Sequence, residues 1–494
     1  MANVSEIQIT LSEEVSTKPL PQGRLYIVFS RSDDLEPRLY SAWPVKGVEP
    51  LYAVDLESLQ NRSTIQVSNL VGFPYETLSE LPEGEWYVQA VYDTNTIHSG
   101  INSPNNAYSN IQKVAINSSE STVLSLHLHQ RIPADSLPEQ QRHLKFVKFK
   151  SKTLSEFWDQ DIFLRAGLIL PRTYFDNPLA RFPVFFDIGG YGSRYTRAER
   201  LYNDEAFQAY WNDDDTPQMI IVFLDGEAPF GDPYQINSAN NGPYGDATWG
   251  ELLPYLSQNF NMVDTMEGRF VSGCSTGGWV SLALQIYYPD IFNGAWSYSA
   301  DGVDFNFFQL VDIYNDDNAF FNSHDQERPS YRQKDGDIIF SIKHEIMMEN
   351  TMGRGNSYTT SGGQWGGWNA VYSPKGEDGL PMPIWDPNTG KIDKNVASAW
   401  KKYDLNEYTE SNWKKLGNKL QGKLHIWMGD MDNFYLNNAM VLFEEMLKRT
   451  NEPTSDAEFR WERGIGHCDF DSLEMRKYTI SKMSERYEQT KKTT

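Results

Sequence analysis

The sequence predicts an α/β architecture, a mostly parallel sheet with helices on both faces, preceded by an all-β sandwich. Three observations carry this. Residues 1–130 hold short runs in which apolar and polar positions alternate, separated by turn residues, the pattern of half-buried strands. After a polar stretch at 131–142 that contains Pro133 and Pro138, strand-like runs alternate with helical ones, which implies parallel strands joined through helices. One such strand-to-helix junction reads Gly273-Cys274-Ser275-Thr276-Gly277-Gly278, the G-x-S-x-G spacing of a sharp turn that exposes a serine hydroxyl.

In the first part, strands are expected at Ile7–Leu11, Leu25–Phe29, Trp86–Val91 and Leu124–Leu128, with Pro82-Glu83-Gly84 as a turn. His127 and His129 share one strand face at a spacing some metal sites use, although a solvent-facing pair is the simpler reading. Residues 131–142 read as a linker and 143–494 as a catalytic domain. Its strands are expected at Lys145–Lys150, Phe163–Leu170, Pro183–Ile188, Met219–Leu224, Phe292–Tyr298, Lys423–Met428 and Phe459–Glu462. A helix is expected to start near Thr248, carrying Leu252, Leu253, Tyr255 and Leu256. Arg269–Ser272 supplies the strand before the serine, and a helix from Gly277 to Tyr288, stopped by Pro289, follows it. Residues 301–422 are irregular and rich in Gly, Trp and Asp, and read as an insertion capping the site. The acidic run from Asp312 to Asn318 lacks the glycine and distal glutamate of a defined calcium loop and reads as a solvated loop.

The chain has 494 residues, enough for two or three domains. A net charge of −23 makes nucleic acid and anionic membranes poor partners. No apolar run approaches the ~18 residues that span a bilayer. Met1-Ala2-Asn3-Val4-Ser5 enters a strand pattern at once, so no signal peptide is expected.

The chemistry centres on Ser275 as nucleophile and His467, in Gly464-Ile465-Gly466-His467-Cys468, as base. Paired so, their side chains would lie about 3 Å apart. The only two cysteines of the chain, Cys274 and Cys468, would then be close enough to bridge, closing a loop of 194 residues. Two buried free thiols are the alternative. The acid should lie between serine and histidine in the chain. Asp432, after the strand-like Leu424–Met428, has the favoured position, with Asp430 and Asp301 as rivals. An oxyanion hole would take the Thr276 N–H and, from the loop Asp187-Ile188-Gly189-Gly190-Tyr191-Gly192, the Tyr191 N–H. The order serine, acid, histidine is the one expected of an α/β-hydrolase fold, and such a triad calls for no metal and no organic cofactor. Trp279, Trp365, Trp368 and Trp385 could stack on a substrate or pack the core.

Two resemblances follow. The Cys-Ser, Asp and His-Cys motifs, with Gly429 before Asp432, resemble the tannase and fungal-type feruloyl esterase family over some twenty residues. That family joins the residues beside serine and histidine by a disulfide, which implies a Ser275, Asp432, His467 triad and a Cys274–Cys468 bridge here. The wider layout, through Phe186–Gly192, Asn237–Gly245, Trp249–Tyr255 and Gly429–Leu436, is similar to bacterial esterases of the esterase D and enterochelin esterase type. Such proteins often carry an N-terminal β-sandwich. Many have a His-Gly pair at the oxyanion loop; this chain has Gly189-Gly190, which leaves the second donor open.

The expectation is a serine carboxylic ester hydrolase acting on small-molecule or carbohydrate-linked esters, with feruloyl- or galloyl-like acids as the implied acyl class. A serine peptidase, an acyltransferase and a non-catalytic glycan- or protein-binding protein are the alternatives. A disulfide argues for a secreted or periplasmic location, and the unmarked N-terminus for a cytoplasmic one.

Overall fold

The computed structural model of the protein describes residues 3–39 and 49–491. Nine strands between Val4 and Arg131 form one hydrogen-bonded network. Val4–Leu11 runs parallel to Thr122–Arg131, and Gly23–Ser30 runs antiparallel to Gly84–Asp93. Alternate residues point to a shared core: Ile7 and Ile9, Leu124, Leu126 and Leu128, Leu25, Ile27 and Phe29, and Val88, Ala90 and Tyr92. Gly23–Ser30 is buried along its whole length. Its other face, Tyr26 and Val28, packs with Leu51, Ala53 and Val91 against Met352 of the insertion. That second covering explains a continuous apolar run where a half-exposed strand would alternate. The His127 and His129 rings stack 5.7 Å apart on an exposed face, and His127 Nδ1 pairs with the Thr10 hydroxyl at 2.8 Å.

From Leu144 onward an eight-stranded sheet runs in the spatial order Leu144–Ser151, Ile162–Ile169, Ile220–Leu224, Val184–Ile188, Arg269–Cys274, Ala295–Tyr298, Leu424–Gly429, Glu458–Glu462. The first two joints are antiparallel and all later ones parallel. Val184–Ile188 and Ile220–Leu224 are wholly buried, as strands covered by helices on both faces must be. This is the α/β-hydrolase arrangement, with every expected strand present to within a few residues at each end.

Two expectations need correction. The helix placed near Thr248 begins at Tyr244 and passes through a wider π-turn, Thr248–Leu252, before Leu253–Asn259. Residues 301–422 are not irregular: they hold the strands Pro329–Arg332 and Ile338–Ser341 and the helices Ile342–Met352, Gln364–Tyr372, Lys394–Trp400 and Leu405–Leu420. Gln364–Tyr372 carries two glycines and is buried nearly all round, so it shows neither helix-forming composition nor an apolar stripe. Trp279, Trp365, Trp368 and Trp385 are all buried, which removes them as an exposed stacking surface. Trp365 meets Trp368 and Trp385 edge-on, with ring centres 4.8 and 5.2 Å apart. In the acidic run, Asp312 accepts bonds from the Tyr314 and Asn315 N–H groups, so its carboxylate closes its own turn.

The β-rich region grips the insertion through buried polar contacts. The fully buried Arg24 guanidinium donates to Thr351 O at 2.8 Å and Asn356 Oδ1 at 2.9 Å and pairs with Asp55 at 2.8 Å. Tyr26 OH donates to Met352 O at 2.6 Å, and Arg354 reaches back to Asp93 Oδ2 at 3.2 Å. Arg24→Ala removes the Arg24 donor from Thr351 O and Asn356 Oδ1 and the counter-charge from Asp55. It is expected to destabilise the protein by about 3 kcal/mol, seen as a lower thermal midpoint; an unchanged midpoint would mean the grip adds nothing.

Candidate active site

Arg269–Cys274 lies in the middle of the sheet, and the chain turns sharply at its end into the helix Thr276–Tyr287. Ser275 occupies the turn with φ +62° and ψ −126°, a conformation that costs a non-glycine residue about 1–3 kcal/mol. The turn is feasible because its flanks are glycines. A Cβ on Gly277 would lie 2.2 Å from Ile188 O, and one on Gly273 would lie 2.4 Å from the same atom. The serine is therefore raised on a strained corner pressed against the neighbouring strand.

His467 lies on the loop after Glu458–Glu462, where Asn433 Oδ1 accepts from its N–H at 2.8 Å. Its Nδ1 meets Asp432 Oδ2 at 2.7 Å. Asp432 is fully buried, and its Oδ1 accepts from the N–H groups of Phe434 at 2.9 Å and Leu436 at 3.3 Å, which fixes the carboxylate plane. Phe434 packs edge-on against the imidazole with ring centres 4.9 Å apart. Burial alone would lower the His467 pKa; the Asp432 charge and hydrogen bond, reinforced by Asp301, outweigh it and raise the imidazole above its ordinary value.

The two rival acids lie elsewhere. Asp430 is 41% exposed and accepts from Gly464 N–H at 2.6 Å. Asp301 is buried beneath the serine, not beside the imidazole Nδ1, and Ser275 Oγ donates to its Oδ1 at 3.4 Å. The expected serine–histidine hydrogen bond is not present among the described residues. A buried carboxylate is a stronger acceptor than a neutral imidazole, and such bonds are commonly loose without substrate.

Cys274 and Cys468 form a disulfide, with Cα atoms 6.1 Å apart, so the serine and histidine loops are tied directly. Cys468 takes φ +51°, and its N–H donates to Ser299 Oγ at 3.2 Å. Replacing both cysteines by serine is expected to lower the melting midpoint, with about 5 kcal/mol as the chain-entropy bound for a loop of this size. Comparing the melts of the double variant and the oxidised wild type checks it.

Of the two oxyanion candidates, Thr276 opens the helix after the serine. Gly190 approaches the serine, since a Cβ there would lie 3.9 Å from Ser275 Cβ, and Tyr191 follows it. The Tyr191 hydroxyl donates to Gly363 O at 2.7 Å and lies 3.0 Å from Gly362 O, so the insertion holds this loop. Burial raises the Tyr191 phenol well above its usual pKa and keeps it a donor. Sequence reasoning missed Asn433, Arg332 and Tyr234, and it named Trp368 only as a stacking or core residue, not as the donor to Asp301 Oδ2 at 3.2 Å that it is. Arg332 Nε donates to Asp432 O at 3.0 Å from a strand of the insertion. Asn433 could have been suspected as Asp432's neighbour; the others are distant in sequence and carry no local signal.

A family model described as "Esterase: Putative esterase" matches residues 164–460. No curated protein matches the sequence. Among solved structures, the chain is similar to a ferulic acid esterase at 14% identity and TM-score 0.42, covering 70% of this chain and 97% of that one. It is also similar to a fluorophosphonate-binding serine hydrolase from Staphylococcus aureus, at 16% identity and TM-score 0.40, covering 69% and 98%. A third is an S-formylglutathione hydrolase from Agrobacterium tumefaciens, at 12% identity and TM-score 0.41, covering 71% and 99%.

Proposed function

The chain belongs to this esterase family and is a serine carboxylic ester hydrolase, and from that premise we propose that Ser275, His467 and Asp432 are its catalytic triad. The observation that carries the assignment is the 2.7 Å contact of His467 Nδ1 with buried Asp432, on a loop tied by disulfide to the residue before Ser275. Ser275 Oγ attacks the ester carbonyl while His467 Nε2 takes its proton. The N–H groups of Thr276 and Tyr191 hold the oxyanion. His467 returns the proton to the leaving alcohol, and an acyl-enzyme remains on Ser275. Water, deprotonated by His467, then releases the acid. Asp432 holds the imidazole tautomer with Nε2 free and balances the imidazolium.

For the acyl group we propose an aromatic acid of the feruloyl or galloyl kind, free or on a carbohydrate. The support is the Cys274-Ser275, Asp432, His467-Cys468 constellation with its bridge. Residues 1–130 are taken as an immunoglobulin-like sandwich that serves the catalytic unit, 143–494, as a docking base. The shared core of its long strands and the contacts of Arg24 and Tyr26 support this.

The test is hydrolysis of methyl ferulate, methyl gallate, p-nitrophenyl acetate and a peptide anilide. Turnover of the aromatic methyl esters supports the acyl class. Turnover of the acetate alone removes that class and leaves the triad. Cleavage of the anilide in preference to esters, or transfer to an added alcohol in preference to water, would replace hydrolysis of esters by the peptidase or acyltransferase reading.

A further inference from the structure

Beneath the nucleophile lies a polar cluster that the triad does not use. Asp301 is buried, and three donors converge on one of its oxygens. Tyr234 OH and Thr276 Oγ1 reach Oδ2 at 2.9 Å each, and Trp368 Nε1 reaches it at 3.2 Å. The other oxygen, Oδ1, meets Ser275 Oγ at 3.4 Å. The Asp301 N–H also donates to Ser275 O at 3.3 Å. A carboxylate that merely tied the insertion to the nucleophile helix would account for the donors on Oδ2. It would not account for an oxygen left facing the reacting hydroxyl.

Resting on the triad reading, we propose that Asp301 is a positioning residue for the nucleophile. It holds the Ser275 hydroxyl in the free enzyme and, after the proton passes to His467, stands as a second counter-charge to the imidazolium beside Asp432. The proton balance is that of the triad alone: it leaves Oγ for His467 Nε2, and Asp301 neither takes nor gives one. On attack the Oγ–H···Oδ1 bond is exchanged for Oγ–H···Nε2, and Oδ2 keeps its three donors.

The electrostatic setting agrees with the geometry. Burial raises the Asp301 carboxyl, while the Tyr234, Thr276 and Trp368 donors and the nearby His467 oppose that rise. The other titratable groups in its field are Asp232 and Tyr372, both buried, and Tyr191, half-buried. Burial pushes Asp232 up to about 7 and keeps both phenols protonated. Asp432 and Asp301 are the charges that favour the His467 imidazolium.

The experiment is the rate of covalent labelling by a fluorophosphonate as a function of pH, which needs no knowledge of the substrate. In wild type the acid limb reports His467 and is expected above the ordinary histidine value of about 6.5. Asp301→Asn removes a negative charge near the imidazole. The imidazolium is then less favoured, His467 gives up its proton at lower pH, and the acid limb moves to lower pH. The plateau falls about tenfold, as loss of one charge-assisted hydrogen bond does. Tyr234→Phe removes one donor from Oδ2, favours protonated Asp301, and shifts the limb in the same direction by less. A rate reduced by the same factor at every pH, or left unchanged, overturns the proposal. If Asp301→Asn does not fold by circular dichroism, the Tyr234→Phe profile decides in the same way. Labelling that persists in Ser275→Ala would overturn the triad reading and this proposal with it. Loss of labelling there with an unmoved Asp301→Asn limb overturns this proposal alone.

Discussion

Ser275→Ala is expected to lower kcat for any hydrolysed ester by about 10⁶-fold, the loss found when the serine of a complete triad is removed. The two residues that flank Ser275 offer no substitute. The neighbouring Cys274 is bonded to Cys468, and the Thr276 hydroxyl is spent on Asp301. Folding should be intact, because the substitution deletes one oxygen whose single recorded bond is the 3.4 Å contact to Asp301. The variant should still accelerate hydrolysis about 10³–10⁴-fold over water through its oxyanion donors. The check is a burst-free progress curve with unchanged circular dichroism and melting. Activity within about a hundredfold of wild type would require a different nucleophile.

Asp432→Asn carries the second large effect, a fall of about 10⁴-fold in kcat. The reason can be read from the two carboxylate oxygens. Oδ1 accepts from the Phe434 and Leu436 N–H groups, so in the amide this position must remain oxygen. The NH₂ is therefore turned toward His467 Nδ1, where Oδ2 stood at 2.7 Å. An imidazole facing that donor must accept at Nδ1 and carry its proton on Nε2, the nitrogen required to take the serine proton. Asp430→Asn is expected to stay near wild type, since Asp430 serves the turn at Gly464 and a 4.0 Å pair with exposed Arg463 on the surface. If the two variants exchanged their effects in a kcat comparison, Asp432 would lose its role.

Much of the architecture was legible because the sheet is buried on both faces. Val184–Ile188 and Ile220–Leu224 must be continuous apolar runs, and a reader of the sequence sees them as such. The elbow was legible for a steric reason, since a Cβ at 273 or 277 would strike the Ile188 carbonyl. The cysteine pair was legible from its placement beside the serine and histidine proposed as reacting residues. The insertion was not, because Gln364–Tyr372 is stabilised by the aromatic groups packed around it and shows no polar face of its own. Asp301 was noticed only as a rival acid. Its partner Trp368 is 67 residues away, and no spacing connects an indole in one helix with a carboxylate after a strand. The resting orientation of the serine hydroxyl was hidden for the same reason.

The grip of Arg24 and Tyr26 on Thr351 and Met352 has a consequence for how such a protein can change over generations. The same insertion supplies the Gly362 and Gly363 carbonyls that accept from the Tyr191 hydroxyl. The β-rich region, the insertion and the loop that carries Tyr191 are thus three links in series. A gene rearrangement that swapped the N-terminal region for another would not deliver a new attachment to an old catalyst. It would leave Thr351 O and Met352 O without the Arg24 and Tyr26 donors, so the first region and the insertion are expected to be inherited together.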